Sequence, residues 1–415
     1  MHFTYNHRTM GRSSQAMHIR GMVEALIAAG HKVIVVSPPG VDPLKAAGLM
    51  PFLRDGDRAE GFQRIWKYIS RKCPQLLFEL FELLYNLLLP FRLLPALLRR
   101  KDAVLYERHA YFMFMGVLLG KCLGRTVVLE VNELAGFKRV RGLILERLAR
   151  QIDAWVFSQA DHILCVSRVL ATEVQLRGAS GDRVHVLPNA IDPDRFRRLG
   201  ARQSLRARLG IDDSIVIGHV GVFYEWDRLD VLIEVVKTIR ERHPSVKLLL
   251  VGDGPETGKL QQTACRLEME RALVLSGPVH RDDVPAYIDA MDICVLPDSN
   301  AFGSPLALFE FMAMGKPSVV PDLGPMRDVI DNNVTGILFS HADYGELRSA
   351  LLRLVEDPAL RIEVGFRAKD MVFKRHTWTA NARFVVQLVT GEVLDRRFPQ
   401  VAQFEDETQQ IREGS

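Results

Sequence analysis

The chain has 415 residues, 48% of them hydrophobic and 25% charged, which is too long for one ordinary core and excludes a disordered or fibrous polymer. Its 54 basic and 50 acidic residues leave a net charge of +4, too even a balance to argue for nucleic acid as a partner. Five cysteines, Cys73, Cys122, Cys165, Cys265 and Cys294, stand apart with no C-x-x-C pair; that excludes a disulfide framework and a zinc site and fits a reducing compartment.

The opening MHFTYNHRTMGRSS has no long apolar run, so no signal peptide and a cytoplasmic location are expected. It reads as a strand and a small polar turn. The helical pattern MHIRGMVEALIAAG follows, ending at Gly30, and KVIVV then reads as a buried parallel strand from its unbroken β-branched run. AVLYE, TVVLEVN, HILCVS and VHVLPN continue the strand series. The alternation restarts at IVIGHVG and runs through VKLLLVGDG, ALVLSGPV, DICVLPD and PSVVPD, with helical patterns between them. Two such βαβ arrays predict an α/β chain of two doubly wound parallel sheets.

Residues 75–100, QLLFELFELLYNLLLPFRLLPALLRR, are Leu-rich and lie between Arg71 and Lys72 on one side and Arg99, Arg100 and Lys101 on the other. Glu79, Glu82, Arg92, Pro90 and Pro95 argue against a membrane span. Glu79, Glu82 and Asn86 share one helical face by their i, i+3, i+7 spacing. The segment reads as an amphipathic helical hairpin, packed on the first domain or wedged into a bilayer interface.

Three strand-to-helix turns are candidates for holding phosphate, because free N–H groups and the helix dipole favour an anion there. The first is GRSSQAMHI, with Gly11, Arg12, Ser13 and Ser14; the second is VGDGPE, with Gly252. Both also read as ordinary tight turns. The third and strongest is DSNAFGSPLALFEFMAMGKPSVVPD, residues 298–322. Gly303 gives backbone freedom, Ser304 is placed to cap the helix, Pro305 suits its first position, and Gly315 closes it. Glu310, about one and a half turns in and among apolar neighbours, is placed to accept hydrogen bonds from ribose hydroxyls. His7, His18 and His109 lie near the strand ends or the first helix, where they read equally as packed histidines.

These marks, with AAGHKVIVV, SRVLATEVQLRGASGDRVHVLPNAIDPDRF, HVGVFYEWDRLDVLIEVV, GPVHRDDVPAYIDAMDICVLPD and RHTWTANARFV in this order, resemble family 4 retaining glycosyltransferases over roughly residues 1–395. The resemblance implies a GT-B fold: two facing Rossmann-like domains with a cleft between them. Residues 1–205 would form the acceptor domain and 206–395 the nucleotide-sugar domain, with a terminal helix around Trp378 crossing back, and 396–415 a polar tail. It implies sugar transfer from a nucleotide diphosphate-sugar to a lipid-linked or polysaccharide acceptor, with retention of configuration, and with the leaving diphosphate helping to take the acceptor proton. No metal or other cofactor is implied, and no nucleic acid. A peripheral position on the inner face of the plasma membrane, through 75–100, fits the same picture. Glu310, His109 and Asn132 would then serve catalysis. Gly11, Arg12, Ser13, Gly221, Arg228, Gly252, Pro278, Val279, Gly303, Ser304, Pro305 and Leu306, with Glu310, would surround the donor.

The chain departs from the family pattern in places. The first glutamate of the family's E-x7-E pair is Phe302 here. The Arg and Lys that many relatives place on the diphosphate fall at Val222 and Asp227, and a further Lys at Ala307; the family's histidine after the middle strand aligns with Asn132. Arg8, Arg12, Arg228 and Lys316 are the cations available to substitute. A non-catalytic protein that binds nucleotide or a partner enzyme, and a nucleotide-sugar epimerase or glycosyl hydrolase, are rival readings on the same architecture.

Overall fold

The computed structural model describes residues 1–9, 14–39, 41–42, 73–137, 142–197 and 202–392. The first lobe is a parallel sheet of β1 (His2–Asn6), β2 (Lys32–Val36), β3 (Ala103–Arg108), β4 (Val127–Val131), β5 (His162–Cys165) and β6 (Val184–Val186), in the order β2-β1-β3-β4-β5-β6. The second comprises β7 (Val216–Val222), β8 (Lys247–Asp253), β9 (Leu273–Leu275), β10 (Ile293–Val295), β11 (Ser318–Pro321) and β12 (Ile337–Phe339), in the order β12-β11-β10-β7-β8-β9. Central strands such as VVLEV of β4 are buried throughout, as parallel strands covered on both faces must be. KVIVV is a correction: β2 ends the sheet and leaves Lys32 and Ile34 exposed. An apolar run alone does not say which strand lies at the edge.

In each sheet the chain reverses direction beside its first strand, between β1 and β3 and between β7 and β10. The carboxyl ends of strands at such a reversal open a crevice that binds ligands. Helix α1 (Ser14–Ala28) closes with Gly30 in the left-handed region at φ 84°, where a glycine carries no Cβ penalty.

Helix α2 (Gln75–Leu98) is one continuous helix with Pro90 and Pro95 inside it, not a hairpin. Each proline costs a helix interior about 3 kcal/mol. Burial of Leu89, Leu93, Ala96 and Leu97 against the first lobe offsets this at about 1.5–3 kcal/mol for each buried Leu.

The lobes are joined twice. The first lobe also carries α3 (Met115–Cys122), α4 (Glu146–Gln159) and α5 (Arg168–Leu176), and after β6 the chain passes to α6 (Arg202–Leu209). Arg206 of α6 donates to Ala290 O at 2.7 Å and Asp292 Oδ2 at 3.2 Å, so α6 belongs to the second lobe, and the expected boundary at 205/206 falls inside it. The last helix of the described chain, Trp378–Thr390, returns to pack on α1. A Cβ at Gly21 would lie 2.4 Å from the Trp378 indole nitrogen, so the close approach requires glycine there. The expected tail, 396–415, lies outside the described residues.

Candidate active site between the lobes

The second-lobe side of the cleft is built on the helix Leu306–Ala313. Ser304 is not its cap: Pro305 stands at the cap position with φ −72° and ψ 119°, and no side chain caps the helix. Ser304 instead reaches the first lobe, where its Oγ accepts from the Asn189 backbone N–H at 3.1 Å. The Asn189 side chain donates to Ser304 O, and its Oδ1 lies 2.5 Å from His18 Nδ1. His18 Nε2 in turn lies 2.9 Å from Glu130. A continuous polar chain thus runs from β4 through α1 and the interlobe segment to the start of the Leu306–Ala313 helix.

Glu310 is buried and paired with Arg281. Beside them is a cavity of about 190 Å³ lined also by Arg20, Asp192, Arg195, Leu306 and Trp378. Gly221, Arg228 and Gly252 are not in its lining. The glycines of VGDGPE have a structural reason: a Cβ at Gly252 (φ 137°) would lie 1.9 Å from Gly221 O, and one at Gly254 2.4 Å from Phe223 O. Val279 is buried in the second-lobe core, and Pro278 beside it is half-buried. Gly303 is held by Asn300, whose Oδ1 accepts its N–H.

Of the family's three cation positions, Val222 and Ala307 carry apolar side chains and Asp227 is acidic. Half-buried Asp227 accepts from Tyr224 N–H at 2.9 Å. Burial pushes its carboxyl up to about 7, against that hydrogen bond and helped by Asp298. Of the expected substitutes, Arg228 sits at φ 50° with Nε 3.3 Å from Asp230 and its guanidinium over Tyr344. It stays partly exposed at the strand-to-helix turn. Lys316 is a correction: its Nζ is committed to Asp289, 2.8 Å from the carbonyl and 3.2 Å from the carboxylate. Arg8 pairs with Glu82 of α2 at 2.9 Å. Gly11, Arg12 and Ser13 lie outside the described residues.

On the first lobe, Asn132 at the end of β4 donates to Glu130 at 2.6 Å. Glu130 also accepts from Tyr106 at 2.7 Å, Tyr5 at 3.3 Å and Arg108. Burial opposes its ionisation, but His18 and Arg108 outweigh that and hold the carboxyl well below the usual range. His109 is turned inward: its Nε2 lies 2.9 Å from Asp153, which Arg177 also holds, and its ring packs on Phe157. The structure therefore brings Asn132 and His18 to one network but does not bring His109 to Glu310. His7 accepts from Thr9 N–H on Nδ1, so its Nε2 donates to Ser37 at 2.7 Å. Burial, then Arg108, lowers it to about 4. Sequence reasoning overlooked Glu107, Arg108, Glu130 and Arg281. For the first three the signal was a charge inside an otherwise apolar strand.

Phe302, where the family has its first glutamate, packs on Phe137 of the first lobe with ring centroids 5.0 Å apart and planes tilted by 51°, and its carbonyl accepts from Ser167 Oγ at 2.6 Å. It is a contact between lobes. Among the described residues no three His, Cys, Asp or Glu side chains are grouped to hold a metal ion.

Residues 15–195 match the family described as Glycosyltransferase Family 4, and residues 214–357 the one described as Glycosyl transferases group 1. The chain belongs to glycosyltransferase family 4. It is 24% identical to the 2-deoxystreptamine glucosyltransferase of Streptomyces kanamyceticus, over 63% of this chain and 70% of that one. It is 23% identical to the phosphatidylinositol N-acetylglucosaminyltransferase gpi3 subunit of Schizosaccharomyces pombe, over 82% and 69%. Its fold matches that of Anabaena HepE solved in complex with UDP, with a TM-score of 0.72 and 16% identity, over 94% of this chain and all of that one. The two parallel sheets are thus the two Rossmann-like domains of a GT-B glycosyltransferase.

Proposed function

We propose that this glycosyltransferase moves a sugar from a nucleotide diphosphate-sugar to a lipid-linked or polysaccharide acceptor, with retention of configuration and without a metal. The observation that carries the donor reading is Glu310, a buried carboxylate at an interlobe cavity, on a helix whose start is tied across the cleft through Ser304 and Asn189. Arg281 orients Glu310 until ribose hydroxyls share its oxygens. The diphosphate lies at the strand-to-helix turns, where backbone N–H groups and Arg228 face it. Because the cations of positions 222, 227 and 307 are replaced, the donor leans on amides more than in relatives. The protein supplies position and electrostatics rather than a covalent nucleophile, and the leaving diphosphate takes the acceptor proton. The relatives support a sugar nucleotide as donor: one is a glucosyltransferase, and HepE was solved with UDP. The gpi3 relative, named for phosphatidylinositol, supports a lipid-linked acceptor.

A second reading, nucleotide binding without turnover, is favoured by Phe302 and Asp227, which put a ring and an acid where relatives put a carboxylate and a cation. Incubation with a panel of nucleotide-sugars, with and without lipid-linked and soluble glycan acceptors, separates the two. Nucleotide released only when acceptor is present establishes transfer. Saturable nucleotide binding with no release under any condition establishes the second reading.

A further inference from the structure

The first half of helix α2 is built inside out, whereas from Leu89 onward its inward face is apolar. Its polar residues Glu79, Glu82 and Asn86 face the first lobe and are buried. Leu77, Leu84, Leu87, Leu88 and Phe91 face away from it, with Leu87 62% and Phe91 80% exposed.

The inner face explains the inversion. Glu79 accepts from Ile144 N–H at 2.8 Å and Leu145 N–H at 2.7 Å, at the start of α4. Glu82 pairs with Arg8, just past β1. Asn86 accepts from Phe114 and Met115 N–H, both at 3.0 Å, and donates to Phe112 O at 2.7 Å, past β3; Phe112 sits in the left-handed region at φ 62°. These three segments follow β1, β3 and β4, so all lie at the carboxyl edge of the first sheet, the edge at which such sheets bind ligands. The polar face is fixed inward because it holds that edge together, and the apolar face is left outward as a consequence.

A contiguous apolar stripe of this kind on a described surface marks an interaction site. Its charge surroundings select the occupant. Arg92, Arg99, Arg100 and Lys101 are exposed on and just beyond the same helix, so the surface offers apolar side chains and cations together. An anionic bilayer interface presents the complementary pair, acyl chains beneath phosphates. The helix is long and apolar enough to cross a membrane by composition, but its buried side is hydrogen-bonded to the first lobe along three segments, so it lies along the surface.

We propose that the outer face of α2 inserts into the interfacial layer of an anionic membrane, on its cytoplasmic side, and so seats the carboxyl edge of the first sheet at the lipid surface. This docking does not depend on the sugar-transfer reading, although it would deliver a lipid-borne acceptor to the cleft.

Flotation of the full chain with vesicles of phosphatidylcholine, with and without phosphatidylglycerol, tests it. Wild type floats with the anionic vesicles, less so in high salt. L88S/F91S, whose side chains touch solvent, stays at the bottom with an unchanged melting temperature. R99S/R100S/K101S loses at least about tenfold in vesicle affinity. The proposal is overturned if wild type ignores both vesicle types, or if L88S/F91S floats like wild type. It is equally overturned if L88S/F91S melts earlier, which would place these side chains in a core, or if wild type is a dimer that this variant dissociates while vesicle binding persists. Affinity for a panel of nucleoside diphosphates, UDP among them, measured on the same samples, reports separately on the donor site. Flotation without binding of any nucleoside diphosphate in the panel sinks the transferase reading alone, and nucleotide binding without flotation sinks the docking alone.

Discussion

The backbone N–H of Asn189 donates to the Ser304 hydroxyl at 3.1 Å, so the start of the helix that carries Glu310 is fastened to the opposite lobe. The Asn189 side chain completes the link, meeting Ser304 O on one side and His18 on the other. Asn189→Ala keeps the backbone bond but leaves the Ser304 carbonyl and the His18 ring without this partner in a buried setting. An unsatisfied buried polar group costs about 1–3 kcal/mol. The variant is expected to lose that much stability in chemical denaturation, and nucleotide is expected to recover part of it by holding the lobes together. A denaturation midpoint equal to wild type would show that the link carries no energy.

Glu310→Ala is expected to weaken UDP binding by about 1.5–3 kcal/mol, the scale of hydrogen bonds to a charged group. Arg281, its partner in the cleft, then faces the ribose site unopposed, so Arg281→Gln is the informative companion. It should weaken binding less, because Glu310 still meets the hydroxyls. Calorimetric titration of both variants checks this, and an unchanged affinity in folded Glu310→Ala removes the ribose role.

Arg228 lies at the turn between β7 and the helix Leu229–Arg240, held by Asp230 and Tyr344 but partly exposed. If it serves the diphosphate, Arg228→Ala raises the donor KM by about tenfold, one charge-assisted bond at the low end of its range, and changes kcat little. A KM that stays put assigns the diphosphate to backbone amides.

Much of this was legible in the chain itself. The strands announced themselves as apolar β-branched runs between turn residues, and the order of glycine and proline around Glu310 located its helix. What escaped depends on partners distant in sequence. The spacing of Glu79, Glu82 and Asn86 identified a polar face on α2, but spacing does not say which face meets the protein, and here three loops claim the polar one. Ser304 has the residue type of a helix cap, yet its acceptor role is set by Asn189, 115 residues away. Glu107 and Glu130 look like interruptions of strands until Asn6, Arg108 and His18 are seen around them.

Phe302 and Phe137 meet across the lobes at the position where the family resemblance implies a carboxylate for the donor sugar. Their tilted contact at 5.0 Å predicts a coupling energy of about 0.5–1.5 kcal/mol in a double-mutant cycle with Phe302→Ala and Phe137→Ala. Phe302→Glu, which restores the family residue, should lose this contact while Ser167 still holds the carbonyl. Additive effects of the two alanine variants on thermal stability would show that the rings touch without closing the lobes.

Glu107 provides a test by pH. Its carboxyl is buried beside β1, accepts from Asn6 Nδ2 at 3.0 Å, and is so closely covered that a Cβ at Gly116 would lie 1.6 Å from it. Burial pushes it from 4.5 up to about 7, against the hydrogen bond from Asn6. The folded state therefore holds a proton that the unfolded chain releases above its own pKa. Stability from this group is full below about pH 4.5 and is lost as pH rises through about 7. The difference amounts to about 3 kcal/mol at 1.36 kcal/mol per pKa unit. Glu107→Gln mimics the protonated form, keeps an oxygen for Asn6 and fits the same space. It is expected to match wild type at about pH 4.5 and to exceed it by up to about 3 kcal/mol at about pH 8, in urea denaturation at the two values. A gain that is the same at both would mean that Glu107 ionises alike in the folded and unfolded chain, and that the cover formed by Gly116 does not keep water from its carboxyl.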